Sequence, residues 1–292
     1  LNLLNIPKFI LPQVCNSSHI FGYTDTSLLH SSIPITGIAG DQQSALFGQF
    51  GFQNGSIKTT YGTGCFMLLN TGINRIDSNH GSLTTLACNF KGEPTYALEG
   101  SVFIGGAVIQ WIRDELELIN NAKETEEIAN SINGTDGVYI VPAFTGLGAP
   151  HWDMEARGLI TGLTRGSNKK HLIRASLESI AFQVYDLLIS LKNDLNFNIS
   201  TMNVDGGASS NNFLMQFQSN IIDIPIIRPD NIETTALGAA MLAGLKVDIW
   251  DNEDNLMSLQ NINKTFKPNI NKDEQNNLIN GWQKAVIKTK EN

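Results

Sequence analysis

Asp41 stands where an apolar run, Pro34-Ile35-Thr36-Gly37-Ile38-Ala39, closes on Gly40, and a short helical stretch around Ala45-Leu46-Phe47 follows. A carboxylate at such a strand-to-helix turn of an α/β protein faces a crevice, where it takes a proton from a hydroxyl or holds a hydrated metal ion. The plainer alternative is an aspartate that caps backbone N–H groups at the helix start. Tyr61-Gly62-Thr63-Gly64 separates two β-rich runs. Its small residues let backbone N–H groups and the Thr63 hydroxyl approach an anion such as phosphate, although a tight hairpin uses the same residue types. Asp205-Gly206-Gly207-Ala208-Ser209-Ser210-Asn211 lies between a strand pattern and a helix pattern. Glycines there admit a nucleotide close to the backbone, and the helix start favours negative charge; a short capped turn is the alternative. Gly105-Gly106 interrupts a helical pattern at about 1 kcal/mol per glycine relative to alanine, marking close contact with a ligand or with another backbone.

Other chemistries lack their residues. Neither GxGxxG nor the GxxxxGK phosphate loop occurs, and no serine sits in a GxSxG elbow. His151-Trp152-Asp153 has no second ligand at metal spacing and reads as a structured loop, and His19, His30, His80 and His171 are equally isolated. Cys15, Cys65 and Cys88 are odd in number and widely spaced, which excludes a disulfide framework and fits ordinary thiols in a reducing, cytoplasmic setting. No residues are assigned as direct metal ligands.

The elements that must hold these groups show in the periodicity. Four β-rich runs, Ile57–Tyr61, Cys65–Leu69, Leu83–Phe90 and Thr95–Leu98, predict an antiparallel meander. Helical spacing follows over Val102–Leu118 and Thr125–Ile132, then a short strand at Gly137–Val141. Ile173, Leu177, Ile180, Val184, Leu187 and Leu191 give one long helix from Ser167 or Asn168 to Leu195. A strand at Met202–Val204, a helix through Phe213, Phe217 and Ile221, a strand at Ile224–Ile227 and a helix over Ala236–Leu245 alternate as in an α/β domain. Pro34–Ala39 reads as a buried strand, Asn261–Asn277 as a loop, and Leu278, Trp282 and Val286 as a final helix. With 292 residues and 41% hydrophobic content, the chain has ample material for a core. Its net charge of −8 argues against nucleic-acid or anionic-membrane partners, and no apolar run is long enough to span a bilayer. The start, Leu1-Asn2-Leu3-Leu4, has neither Met nor a basic leader, so it reads as the middle of a longer protein rather than a secretory signal.

Together the motifs carry a resemblance. Gly37-Ile38-Ala39-Gly40-Asp41-Gln42-Gln43, Thr60-Tyr61-Gly62-Thr63-Gly64-Cys65-Phe66-Met67 and Pro142-Ala143-Phe144-Thr145-Gly146-Leu147-Gly148-Ala149-Pro150 resemble segments of glycerol kinases. The pattern Gly158-x-Ile160-x-Gly162-Leu163, then Ala175-Ser176-Leu177-Glu178, is similar to the signature of the wider FGGY carbohydrate kinase family. Asp205-Gly206-Gly207, Asn211 to Gln218 and Thr235 to Ala240 extend the resemblance, which runs in order from about Pro12 to Trp282.

The resemblance implies an α/β chain of the actin-like ATPase and ribonuclease H-like type, with a mixed sheet flanked by helices. It implies ATP-dependent phosphorylation of glycerol to sn-glycerol 3-phosphate, with Asp41 as general base. Gln42 would bind the polyol beside Asp41, and Phe66 would pack against its carbon chain. Thr63 would contact nucleotide phosphates, while Gly106, Gln110, Gly207 and Asn211 would line the nucleotide pocket. Mg²⁺ would neutralise the phosphates, with Asp41 near its water shell. The family's Asp-Gly-Thr phosphate loop, and the Arg-Glu pair and Tyr that complete its polyol site, are not found in this sequence. Residues 1–50 are therefore expected to close an N-terminal domain and carry Asp41, and 51–292 to form the C-terminal nucleotide-binding kinase domain. The missing N-terminal domain would be the first partner, this chain alone a poor catalyst, and the complete enzyme a homo-oligomer. The family's regulatory loop corresponds to Thr26–Ser32, which lacks Arg, and His30 reads as a solvated loop residue. Competing readings are a family kinase acting on another polyol or sugar, and a non-catalytic actin-like nucleotide-binding module. Phe66 beside Gln42 favours a short polyol, and Asp41 argues against a module without chemistry.

Overall fold

The computed structural model describes residues 1–88, 90 and 92–290. Two short 3-10 turns lead into β1 (Ser18–Tyr23), α1 (Thr26–Leu29), β2 (Pro34–Gly37) and α2 (Asp41–Gly48). Then come β3 (Ile57–Tyr61), β4 (Cys65–Gly72), β5 (Leu83–Leu86), β6 (Tyr96–Val102), α3 (Ala107–Asp114) and α4 (Glu124–Asn130). β7 (Tyr139–Val141) and β8 (Leu159–Thr161) form a small hairpin before α5 (Lys169–Asn193). The remainder alternates: β9 (Met202–Asp205), α6 (Asn212–Ile222), β10 (Ile226–Pro229), α7 (Thr234–Lys246), α8 (Glu253–Met257), β11 (Ile262–Phe266) and α9 (Lys272–Lys290).

Among the described residues, one mixed sheet of seven strands runs in the order β11-β10-β9-β3-β4-β6-β5. β3, β9 and β10 are mutually parallel neighbours, and the other pairings are antiparallel. Alternation along the strands separates two faces. Ile57, Tyr61, Met67, Leu69, Leu98 and Val102 join the main core with α5, α6 and α9. The opposite face carries Lys58 and Thr60 on β3, paired with Leu68 and Phe66 on β4, which in turn pair with Glu99 and Ser101 on β6. Apolar residues thus build the frame from one side and leave polar ones on the other.

α5 is set by its sequence at both scales. Its apolar positions are buried, and Asn168 caps it through a capping box with His171. β1 and β2 pair with each other, outside the large sheet. They rest on α7, where Thr36 Oγ1 donates to the Ala243 carbonyl at 3.0 Å.

Several expectations need correction. The strands from Ile57 onward are not a meander, because β6 lies between β4 and β5. Gly105-Gly106 is not inside a helix: β6 runs to Val102, and Gly106 is the N-cap of α3. Their tightness is backbone packing, since a Cβ on Gly106 would lie 2.7 Å from the Gly62 carbonyl oxygen. β2 is not a buried strand in this chain: Ile35 and Ile38 are exposed, with Thr36 its buried residue. Asn261–Asn277 is not one loop but holds β11 and the start of α9. Of the run Leu83–Phe90, β5 covers Leu83–Leu86, and Asn89 lies outside the described residues.

Candidate active site

The turn between β3 and β4 and the turn after β9 approach each other because their strands are parallel neighbours, with Thr60 in register with Asp205. Gly206 makes that approach possible. Its φ is +82°, and a Cβ there would sit 2.6 Å from the Tyr61 carbonyl oxygen. Between these turns, α3 and α4, a cavity of about 530 Å³ opens. Thr63, Gly106, Gln110, Gly207 and Asn211 all line it. Leu177, Ile180 and Leu214 give it an apolar side, while Thr63, Arg113 and Lys123 add polar and cationic groups, the Arg113 guanidinium being paired with Asp114.

Gly207 faces open space, since an added Cβ meets no atom within 4 Å. Asn211 is both a helix cap and a lining residue of the cavity. Its Oδ1 accepts from Leu214 N at 3.0 Å as the cap of α6, and its Nδ2 donates to Thr125 Oγ1 at 3.1 Å at the cavity wall. Arg113, Lys123 and Glu126 are lining residues that the sequence reading missed. Arg113 follows Gln110 by three positions on α3, which is the spacing that places both on one face.

Asp41, Gln42 and Phe66 are not in that cavity but beside β3, the strand that leads to it. Asp41 is the first residue of α2 and is exposed, while Gly40 holds the cap position. The Asp41 carboxylate accepts from the Gln42 backbone N–H at 2.8 Å and from Gln42 Nε2 at 3.4 Å. Phe66 is half-buried, directly across from Thr60, so it shares the sheet face of Lys58 and Thr60.

Lys58 was not singled out in the sequence, and it ties these residues together. It is fully buried, and its ammonium donates to Gln42 Oε1 and to Thr60 Oγ1 at 2.8 Å. Burial pulls its pKa from 10.5 down to about 8, against the opposing pull of Asp205, Glu99 and Asp41. Glu99 is pushed up by burial, with Lys58 pulling it back. A lysine in a run of Ile and Thr four positions before Gly62 was the available signal. Asp205, 1% exposed, accepts from Gln49 Nε2 at 2.8 Å and from Thr234 through one oxygen, and its other oxygen has no partner among the described residues.

Among the described residues, no group of three or more His, Cys, Asp or Glu side chains could hold a metal ion. No helix of the described residues is long and apolar enough to cross a membrane. Three histidines pair with carboxylates, His80 with Asp194 at 2.6 Å, His151 with Asp186 at 3.1 Å and His171, which also caps α5, with Asp136 at 3.2 Å, while His30 ends α1 with φ +58°.

The chain is 54% identical over 283 residues to a glycerol kinase of Thermoanaerobacter pseudethanolicus, covering 97% of this chain and 57% of that protein. It is 53% identical to glycerol kinase 1 of Clostridium tetani, covering 98% of this chain and again 57% of the relative. The chain thus spans little more than half the length of the curated relatives it matches. Among solved structures, Plasmodium falciparum glycerol kinase with ADP superposes with a TM-score of 0.90 at 39% identity, over 96% of this chain and 56% of that one. Residues 57–247 match the C-terminal domain of the FGGY family of carbohydrate kinases, and the chain belongs to that family.

Proposed function

We propose that this chain is the nucleotide-binding part of an ATP-dependent glycerol kinase, producing ADP and sn-glycerol 3-phosphate. The observation that carries the reading is the convergence of Thr63, Gly106, Gln110, Gly207 and Asn211 on one cavity at the end of β3, with Gln42 tethered to the same strand by Lys58 and Asp41 bonded to Gln42. The glycerol kinases of 53–54% identity and the ADP-bound neighbour give the substrates their names. Residues 1–50 would close the N-terminal lobe that completes the polyol site, 51–292 would form the nucleotide lobe, and the whole enzyme would work in the cytoplasm.

Phosphoryl transfer asks a protein mainly to position the reactants and stabilise charge. The apolar side of the cavity would hold the adenine, and the Thr63 hydroxyl and nearby turn amides would hold phosphate oxygens. The alcohol oxygen bonds to the γ-phosphorus as the bond to the β,γ-bridging oxygen breaks, and ADP leaves with that electron pair. Asp41, exposed at the head of α2, takes the alcohol's proton. The donor set fits Mg²⁺ only as a cation carried by the nucleotide, since no group of three or more His, Cys, Asp or Glu among the described residues could hold one, and Asp41 would stand near its water shell. That ion would supply neutralisation of phosphate charge.

The test joins this chain behind the N-terminal part of the Thermoanaerobacter pseudethanolicus glycerol kinase and measures ADP release with and without glycerol. Glycerol should stimulate release, and Asp41→Asn should abolish turnover while ATP affinity is kept. Release that xylulose or another sugar stimulates in place of glycerol moves the reading to another kinase of the family. ATP binding with no acceptor-dependent release leaves a non-catalytic module.

A further inference from the structure

Lys58 is the one lysine on this strand, and its place at the floor of the polar sheet face gives it an unusual set of neighbours. Its ammonium donates to Gln42 Oε1 and Thr60 Oγ1, and the charged groups that face it are Asp41 on α2, Glu99 on β6 and Asp205 on β9. The position across from it on β4 is Leu68. An ammonium is a donor only, so the Gln42 amide must turn its oxygen toward Lys58 and its NH₂ away. The NH₂ then donates to Asp41 Oδ2 at 3.4 Å. A flipped amide would set its N–H groups against the ammonium and its carbonyl against the Asp41 carboxylate, and both contacts repel. The charge on Lys58 therefore decides which end of Gln42 meets the cleft.

We propose that Lys58 is a positioning residue of the transfer site, holding the Gln42 amide so that its N–H groups face the acceptor alcohol beside Asp41. The alcohol oxygen then accepts from Gln42 while its own O–H points to the base, which fixes the acceptor by two complementary bonds. This inference rests on the glycerol kinase reading. Geometry alone gives the arrangement. The lowering of the ammonium's pKa to about 8 adds that its charge is lost just above neutral pH.

The experiment uses the same fusion and steady-state kinetics. Lys58→Met should raise the glycerol KM by about tenfold or more, the weight of a hydrogen bond to a charged group, with the ATP KM changed by less than about twofold. In a Gln42→Ala background the same substitution should add less than about twofold, because residues that act through one another are not additive. With native Lys58, kcat/KM for glycerol should fall as pH rises through about 8, and this limb should vanish in Lys58→Met. Should Lys58→Met fail to fold, the native pH profile decides alone, and a flat profile from pH 7 to about 9.5 overturns the inference. Equal losses in glycerol and ATP KM, or additive effects with Gln42→Ala, also overturn it and leave Lys58 structural. A fusion that binds ADP yet shows no glycerol-dependent turnover overturns the kinase reading itself, and the inference with it.

Discussion

At Lys58 the fold carries a charge that water would hold more favourably. Its pKa of about 8 in the folded chain lies below the 10.5 of a solvated lysine. Between those values the unfolded chain binds more protons, so this group's contribution to stability rises with pH from about 8 to about 10.5, and below 8 its full penalty stands. The shift corresponds to roughly 3 kcal/mol. Urea unfolding of the native chain and of Lys58→Met at several pH values should show native stability gaining on the variant across that window. Parallel curves would mean the buried ammonium is not there. Gly207 gives a second prediction at this scale. An added side chain there enters open cavity space, so Gly207→Val should leave the melting temperature nearly unchanged and weaken ADP binding by about tenfold or more. Unchanged ADP affinity by calorimetry would remove Gly207 from the pocket. The motif Asp205-Gly206-Gly207 shows how far a sequence speaks. It marked a close backbone approach, but only the positive φ of Gly206, jammed against Tyr61, tells the glycine the backbone needs from the one a ligand would need. Lys58 stayed unread because its meaning lies in α2, β6 and β9, far away in sequence.

The elements that aim Asp41 are held by small residues. A Cβ on Gly48 of α2 would lie 2.0 Å from the Thr234 carbonyl oxygen, and one on Gly238 of α7 would lie 1.9 Å from that of Ser44. The two helices therefore touch backbone to backbone, and Ser44 Oγ donates to the Thr235 carbonyl at 2.7 Å across the contact. Gly238→Ala must push them apart, which should destabilise the chain by about 1–3 kcal/mol. Because α2 begins at Asp41, the same substitution in the fusion should lower kcat while sparing ATP affinity, whose cavity is built from other elements. Loss of ATP affinity together with kcat would show that α7 supports both sites. Helices with a strong apolar stripe, such as α5, were legible from spacing and cap alone. β11 was not, because it is an edge strand with four exposed positions and only Phe266 buried, so its polar, Asn-containing sequence carries no alternation. The order of β4, β6 and β5 was hidden for a different reason: hairpin spacing favours sequential neighbours, and long-range register overrode it.

Across the whole molecule, burial is divided unevenly. The large sheet and its helices enclose a closed apolar core, whereas the first 40 residues expose Leu3, Phe9, Val14 and Leu28 at 94%, 88%, 95% and 76%. Ile35 and Ile38, on and beside β2, are exposed as well, next to the segment that carries Asp41. So many exposed apolar side chains in one segment mark it as a place for an interaction face. On the proposed reading its occupant would be the N-terminal lobe, which would cover β1 and β2 and so fix the approach of its polyol ligands to Asp41. The folded state of this chain by itself should accordingly bind a hydrophobic dye strongly and self-associate, although its net charge of −8 favours solubility. Joining the N-terminal lobe should bury the face, cutting dye fluorescence per mole and giving a defined species by light scattering. Leu28→Ser with Ile35→Ser should reduce dye binding by the chain alone yet weaken the fusion, where the same residues become interior. If dye binding is as high in the fusion as in the chain alone, the exposed face belongs to some other contact, and the lobe does not sit where Asp41 needs it.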